Sequence, residues 1–176
     1  MNLLNEYSKI SEVAIRSPLS SFVNDEKITN EWAPLRFHAK PDLKKAIVEY
    51  NYFKSFLEED EIKIIELPSS DKLTLDSIYT RDSIVVCDSG LILCNMGRSS
   101  RTPEAEENFK TLEDNGYKIA GQIKSPGTLE GGDFIWIDNK NAAVGLGPRT
   151  NSEGIRQLKE ILGSEIDLHI LSLIHI

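Results

Sequence analysis

Two segments of the chain follow the same plan, and this repeat is the feature that most limits its fold. Asp82 and Asp133 each open a pair of β-rich runs, and they stand 51 positions apart. Arg98 and Arg149 each follow the second run, again 51 positions apart. A supersecondary unit repeated at this period suggests a ring or array whose units bury their faces against their neighbours. The expected unit is a hairpin, a helix and a strand.

A first, similar unit can be predicted upstream of these two. A strand over residues 12–18 precedes a helix over residues 41–60, and a closing strand covers residues 62–68. Residues 19–40 show no clear period and are expected to be irregular. The apolar face of the helix is predicted to carry Leu43, Ala46, Ile47, Tyr50 and Phe53.

In the second unit, the turn residues Asp88-Ser89-Gly90 separate two β-rich runs and predict a hairpin. A helix should follow, with Thr102 as N-cap and Pro103 at its first position. Phe109 and Leu112 are expected on its apolar side, and residues 117–123 close the unit as a strand.

The third unit repeats this order. Residues 133–138 and 141–147 should pair across a turn at Asn139-Lys140. Asn151 is predicted to cap the next helix, and residues 166–171 form the last strand. The apolar residues of this helix at helical spacing are Ile155, Leu158, Ile161 and Leu162.

Composition argues for a globular, acidic protein. The 176 residues are 40% hydrophobic and 27% charged, with a net charge of −8. The negative charge disfavours nucleic acid and anionic membranes as partners. No apolar run approaches the ~20 residues that span a bilayer, and the first residues do not resemble a signal peptide. A cytoplasmic location is therefore expected.

The cysteines and histidines predict neither a metal site nor a cofactor. Cys87 and Cys94 fit a reducing compartment, and both are expected to be small buried hydrophobic residues. His38, His169 and His175 lack ligand spacing with either cysteine. His169 is expected to be a strand residue rather than a catalyst.

Four short motifs gain weight from occurring in order at matched places of successive repeats. They are YTRD (residues 79–82), SRTPEAE (100–106), LEGGD (129–133) and GPRTNSEG (147–154). Each alone could be a strand edge, a glycine turn or a helix cap with nearby surface charges. Together they are unlikely products of chance, and they point to one functional site.

These motifs resemble the guanidino-group-modifying enzymes of the pentein superfamily. That group includes dimethylarginine dimethylaminohydrolases, arginine deiminases and amidinotransferases. The resemblance extends over residues 13–170 and is specific over residues 76–154. It implies an α/β-propeller of five ββαβ blades around a central site, of which about three blades are present here. The implied substrate is a small cationic guanidino compound.

The resemblance also implies roles for particular side chains. Asp82 would hold the substrate guanidinium, because a carboxylate can bind its planar charge through hydrogen bonds. Glu130 would partner the catalytic histidine. Further contacts to substrate are expected from Asp76, Arg81, Arg101, Asp133 and Arg149.

Within this set the expected contacts differ. Asp133 would lie near an α-amino group, and Arg149, together with Arg101, would receive an α-carboxylate. Arg81 matches a deiminase-like pattern, whereas some dimethylarginine hydrolases carry an acid at that place. Gly131 and Gly132 would let the backbone approach the ligand closely.

The catalytic histidine and cysteine of such enzymes have no counterpart motif in this chain. The family carries the histidine in a His-Leu-Lys or His-Leu-Asp motif beyond the third blade, and the cysteine near the C-terminus. Residues 1–170 are therefore expected to be part of one catalytic domain and to be inactive alone. The ending LSLIHI, residues 171–176, matches a translated sequencing-adapter end and is expected to be non-native.

The leading interpretation is a hydrolase of guanidino C–N bonds that acts through a cysteine-bound amidino intermediate. The substrate would be arginine or a methylated arginine, giving citrulline and ammonia or an amine. One alternative is an amidinotransferase, which passes the same group to an amine. Another is a non-catalytic binding protein with the pentein fold. The complete protein could form a homodimer.

Overall fold

The computed structural model describes residues 4–173, which divide by their contacts into two compact units. The small unit comprises residues 9–80. The large unit comprises residues 4–8 together with residues 81–173. Two of the three predicted repeats lie in the large unit, and the first lies in the small unit.

The small unit is a parallel strand pair joined by helices. Strands β1 (Glu12–Ile15) and β2 (Lys63–Glu66) pair in parallel, and helices α1 (Pro18–Ser21), α2 (Asp25–Glu31) and α3 (Leu43–Glu59) connect them. A parallel pair requires such a crossover. Among the described residues this sheet has two strands, so the hairpin expected of each repeat is not part of the first one.

The prediction that residues 19–40 are irregular was wrong. Asn24 caps helix α2, its side chain accepting a hydrogen bond from the Lys27 backbone N–H at 2.9 Å. Ile28 is the one residue of this seven-residue helix that is buried. A helix with a single buried position shows no apolar period, which explains why the pattern did not reveal it.

Helix α3 confirms the predicted long helix but not its whole apolar face. Asp42 caps it, accepting from the Lys45 backbone N–H at 3.0 Å. No residue of α3 is fully buried. Phe53, predicted to face the core, is 50% exposed, whereas Leu43 and Ala46 pack against a small buried cluster.

The large unit contains two successive ββαβ modules, as predicted. In the first, β3 (Ile84–Cys87) and β4 (Gly90–Leu93) form a hairpin. Helix α4 (Glu104–Asp114) then leads to β5 (Ile119–Gln122), which pairs in parallel with β4. The resulting strand order is β3-β4-β5.

The second module repeats this topology. Strands β6 (Phe134–Trp136) and β7 (Asn141–Leu146) are antiparallel. Helix α5 (Ser152–Leu162) leads to β8 (Asp167–Ser172), which is parallel to β7. His169 lies on β8 opposite Ala143, as expected of a strand residue.

The two helix starts of the large unit differ from each other. Asn151 caps α5 as predicted, accepting from the Gly154 backbone N–H at 2.8 Å. The prediction for Thr102 was wrong, because α4 begins at Glu104 and its cap position is Pro103. The Thr102 hydroxyl instead donates to the Ser99 carbonyl at 2.9 Å and so belongs to the preceding 3-10 turn.

Both modules of the large unit share one hydrophobic core. The indole N–H of Trp136 on β6 donates to the Val86 carbonyl on β3 at 2.8 Å, which ties the two sheets together. Cys87 and Cys94 are both buried in this core, as predicted. Its other members include Val85, Ile92, Phe134, Val144 and Leu158.

The end of the chain is described only as far as Leu173. Leu171 and Ser172 extend β8 opposite Gly145 and Leu146. Residues 174–176 of the predicted non-native tail lie outside the described residues, and the origin of this tail stays a prediction.

Leu158 of α5 is fully buried in the core, so Leu158→Ala should destabilise the chain. The lost transfer energy and the residual cavity predict a loss of about 2–5 kcal/mol in the free energy of unfolding. The matched control is Ile170→Ala on β8, where the side chain is 55% exposed and the loss should be below about 1 kcal/mol. Urea unfolding measures both, and equal losses would contradict the described core.

Candidate substrate-binding site

Carboxylates lie at corresponding positions of both modules, in the turn that precedes the first strand of each hairpin. Asp82 is in the 3-10 turn Thr80–Ser83, which leads into β3. Asp133 is in the 3-10 turn Gly131–Asp133, which leads into β6. The repeat seen in the sequence therefore corresponds to a repeated turn that starts each hairpin.

Two glycines bring these turns into contact. A Cβ added at Gly131 would collide with the Arg81 carbonyl oxygen, and one added at Gly132 would collide with Oδ1 of Asp82. Only residues without a side chain permit this approach. The glycine pair was expected to make room for a ligand, and in the structure it makes room for the Asp82 turn.

Asp82 is held by a buried arginine that is itself held by a second acid. Nη1 of Arg101 donates to Oδ2 of Asp82 at 2.7 Å. Nε and Nη2 of Arg101 donate to the two oxygens of Glu104, each at 2.8 Å. Arg101 is 4% exposed and Glu104 is fully buried. We call these three residues the acid–arginine–acid chain.

The environment of Arg101 favours its charged form. Burial alone would lower the pKa of the Arg101 guanidinium, but the hydrogen bonds and charges of Glu104 and Asp82 outweigh burial and raise that pKa. The bidentate pair with Glu104 is the geometry in which a guanidinium binds a carboxylate most strongly. Arg101 is thus a permanent cation between two acids.

The second module holds its acids differently. Nη1 of Arg149 donates to Oε1 of Glu130 at 3.0 Å. The Thr150 hydroxyl donates to Oδ2 of Asp133 at 2.6 Å and accepts from the Glu130 backbone N–H at 3.1 Å. Thr150 is fully buried, so one hydroxyl fixes the positions of both Glu130 and Asp133.

Cys94 lies close to Asp82 and Glu130. Burial raises the pKa of the Cys94 thiol, and the nearby charges of Asp82 and Glu130 raise it further. A cysteine nucleophile needs the thiolate form. The environment of Cys94 therefore keeps its sulfur protonated and unreactive.

The structure thus brings Asp82, Arg101, Glu130, Asp133 and Arg149 together in the large unit through direct contacts. The predicted roles of these residues toward a substrate stay predictions.

The other two predicted site residues have different surroundings. Arg81 donates from Nη2 to the Phe134 carbonyl and to Glu6, each at 3.0 Å. Asp76 belongs to the small unit, where it is 5% exposed in the 3-10 turn Leu75–Ile78. Their expected contacts to substrate also stay predictions.

Two residues that complete the site were not predicted from the sequence. Glu104 follows Arg101 by three positions, a spacing that brings side chains together at a helix start, and this spacing was an available signal. Thr150 directly follows Arg149 and was interpreted only as part of the helix-cap region. No local pattern shows that its hydroxyl reaches back to Glu130 and Asp133.

Two other features are absent from residues 4–173. No group of three or more potential ligands is placed to hold a metal ion there. Within the same residues, no helix combines the length and apolar character needed to cross a bilayer.

Solved structures with the same fold define the class of the chain. A mutant of dimethylarginine dimethylaminohydrolase from Pseudomonas aeruginosa, complexed with citrulline, superposes with a TM-score of 0.78 at 24% identity, over 96% of this chain and 63% of that chain. An amidinotransferase from Microseira wollei, of the saxitoxin biosynthetic pathway, has a TM-score of 0.73 at 19% identity, over 96% and 61%. The chain therefore has the mixed α/β pentein fold.

The family within this class follows from the sequence matches. A family model described as "N,N dimethylarginine dimethylhydrolase, eukaryotic" matches residues 22–170. The curated N(G),N(G)-dimethylarginine dimethylaminohydrolase of Pseudomonas aeruginosa is 30% identical over 123 residues, which are 70% of this chain and 48% of that protein. The chain belongs to the dimethylarginine dimethylaminohydrolase family, and it spans about half the length of this relative.

The raised pKa of Cys94 predicts a pH dependence of stability. Above the ordinary thiol value of 9.0 the unfolded chain loses this proton while the folded chain keeps it, so stability should fall as pH rises. Cys94→Ala removes this contribution and should flatten the decline in unfolding free energy between about pH 8.5 and 10.5. Cys87→Ala, measured by urea unfolding in the same reducing buffer, should keep the decline. An unchanged decline in Cys94→Ala would contradict the assignment.

Proposed function

We propose that this chain forms the guanidinium-binding part of a hydrolase that converts a methylated arginine to citrulline and an amine. The observation that supports the proposal most is the hydrogen bonding of the Asp82 carboxylate. Arg101 fixes Oδ2 of its carboxylate, while Oδ1 has no hydrogen-bonding partner among residues 4–173. Membership in the dimethylarginine dimethylaminohydrolase family supports the choice of substrate.

The chemistry of the substrate explains the need for such a carboxylate. A guanidinium is planar and permanently charged, so water attacks its central carbon poorly. A carboxylate held in one direction binds its N–H groups and fixes its plane. When this plane is fixed, a nucleophile that lies over one face of it is already oriented toward the central carbon. This orientation lowers the entropic part of the activation free energy.

In the proposed reaction a cysteine thiolate attacks the central carbon, and the bond from that carbon to the dimethylamine nitrogen breaks. A histidine gives a proton to the departing amine. The same histidine then takes a proton from water, whose oxygen displaces the sulfur and gives citrulline and the free thiolate. Cys94 is not this nucleophile, because its pKa is raised. We assign the cysteine and the histidine to the rest of the complete protein.

Glu130 is suited to orient that histidine. Arg149 binds its Oε1, and Oε2 has no hydrogen-bonding partner among the described residues. The side chain is only 10% exposed, so a hydrogen bond from an imidazole N–H to Oε2 would be strong and shielded from water. Such a bond favours the charged form of the histidine.

The remaining residues are proposed to bind the amino-acid end of the substrate. Arg149 uses one nitrogen for Glu130, and its side chain is 35% exposed, so other N–H groups can receive an α-carboxylate. Asp133, held by Thr150, would accept from the α-amino group. Arg81 is proposed as a further substrate contact, whereas Arg101, which is 4% exposed, acts on the substrate only through Asp82. No cofactor is needed for this reaction.

The proposal predicts the effect of Asp82→Asn in the complete protein that contains this chain. Wild type should release citrulline and dimethylamine from asymmetric dimethyl-L-arginine. Asparagine keeps the shape but not the charge, so about 1.5–3 kcal/mol of charge-assisted hydrogen bonding is lost, which is roughly 10- to 150-fold in kcat/KM. Asp167→Asn is the matched control, because that side chain is 72% exposed on β8, and it should retain activity.

Three outcomes would overturn the proposal. Formation of an amidino-transfer product with an added amine such as glycine, in place of citrulline, would identify a transferase. Saturable binding of the methylated arginine without any turnover would identify a binding protein. An Asp82→Asn variant with the kcat/KM of wild type would remove Asp82 from the site.

A further inference from the structure

We infer that Glu104 sets the charge of the guanidinium-binding site, although it is buried and need not touch the substrate. The acid–arginine–acid chain contains two carboxylates and one guanidinium, which leave one net negative charge. This inference rests on the proposed function and assigns a role to a residue that carries none in it. Glu104 is a positioning residue, because it acts through Arg101 and Asp82.

The hydrogen bonds and the exposure of the side chains show where in the acid–arginine–acid chain the net negative charge is accessible. Glu104 occupies the Nε–Nη2 edge of Arg101 with both oxygens, whereas Asp82 receives a single hydrogen bond from Nη1. The side chain of Glu104 is 1% exposed and that of Asp82 is 24% exposed. Asp82 is therefore the accessible end of the acid–arginine–acid chain, and the net negative charge is available there.

Without Glu104 the arrangement would work against a cationic substrate. Asp82 paired with Arg101 alone is a neutral ion pair, and the Nε–Nη2 edge of Arg101 would lose the carboxylate that Glu104 places against it. An internal guanidinium would then compete with the substrate guanidinium for the same carboxylate. Glu104 prevents this by binding the stronger edge of Arg101 and by cancelling its charge.

In the second module Asp133 keeps its charge without a compensating acid. Asp133 is held by the neutral hydroxyl of Thr150, which fixes its direction and leaves its charge intact. Asp82 is held by a cation, so of these two aspartates only Asp82 requires a compensating acid. The presence of a fully buried carboxylate at position 104 then has a physical reason beyond the favourable position of an acid in the first turn of α4.

Binding of one charged and one uncharged probe to the complete protein tests this inference. Methylguanidine carries the cationic head group without the amino-acid end, and methylurea is its uncharged analogue. Their dissociation constants can be measured by NMR titration, which does not require turnover. Thermal unfolding and circular dichroism establish that each variant is folded under the conditions of the titration.

Glu104→Gln removes the charge while keeping the size of the side chain. We expect it to weaken methylguanidine binding about tenfold and to leave methylurea binding unchanged within about twofold. The double variant Arg101→Gln with Glu104→Gln leaves Asp82 as the one charge of the three, and it should recover most of the affinity for methylguanidine. A purely structural role predicts that the double variant binds no better than the single one.

The outcomes separate this inference from the proposed function. Equal weakening for both probes in Glu104→Gln, or no recovery in the double variant, would overturn the role of Glu104 while wild type still binds methylguanidine. Absence of methylguanidine binding by wild type would overturn the proposed function itself, and the inference with it. If Glu104→Gln does not fold, the double variant is compared with Arg101→Gln alone. Arg101→Gln keeps both carboxylates, so it should bind methylguanidine more tightly than the double variant, which keeps only the charge of Asp82.

Discussion

A binding site for a cation must hold its carboxylates in fixed directions without cancelling their charge, and the site proposed in the large unit depends on this constraint. A buried carboxylate that is aligned only by an arginine becomes half of a neutral pair. The first module avoids this outcome by adding Glu104 behind Arg101. In the second module the Thr150 hydroxyl holds Asp133 without cancelling its charge, while Arg149 pairs with Glu130. Different residue types thus leave the charge of both aspartates, Asp82 and Asp133, in place.

The ββαβ repeat provides the frame for these contacts. Each hairpin begins at a 3-10 turn that carries an aspartate, and the chain after each hairpin supplies the residue that holds it, Arg101 for Asp82 and Thr150 for Asp133. Glycines at positions 131 and 132 let the second turn lie against the first. The hydrogen bond from Trp136 to the Val86 carbonyl fixes the two sheets at this spacing. Packing between modules and alignment of the acids are therefore parts of the same arrangement.

The sequence predicts the modules well because their signals are local. Hairpin turns, β-rich runs, the Asn151 cap and apolar residues at helical spacing specify β3–β8 and helices α4 and α5 to within a few residues. The prediction failed at α2, where one buried isoleucine leaves no period, and at Thr102, whose hydroxyl bonds a preceding carbonyl. In the site, the acids and arginines could be named from their motifs. The partners of each could not, because pairing depends on distances that only the folded chain defines.

The central claim is that Asp82 presents one carboxylate oxygen to a guanidinium while Arg101 and Glu104 stay paired behind it. A crystal structure of the complete protein with asymmetric dimethyl-L-arginine bound tests this most directly. We expect a ligand N–H within about 3 Å of Oδ1 of Asp82, with both hydrogen bonds between Arg101 and Glu104 retained. A ligand bound away from Asp82, or an Arg101 that has left Glu104 to contact it, would contradict the account.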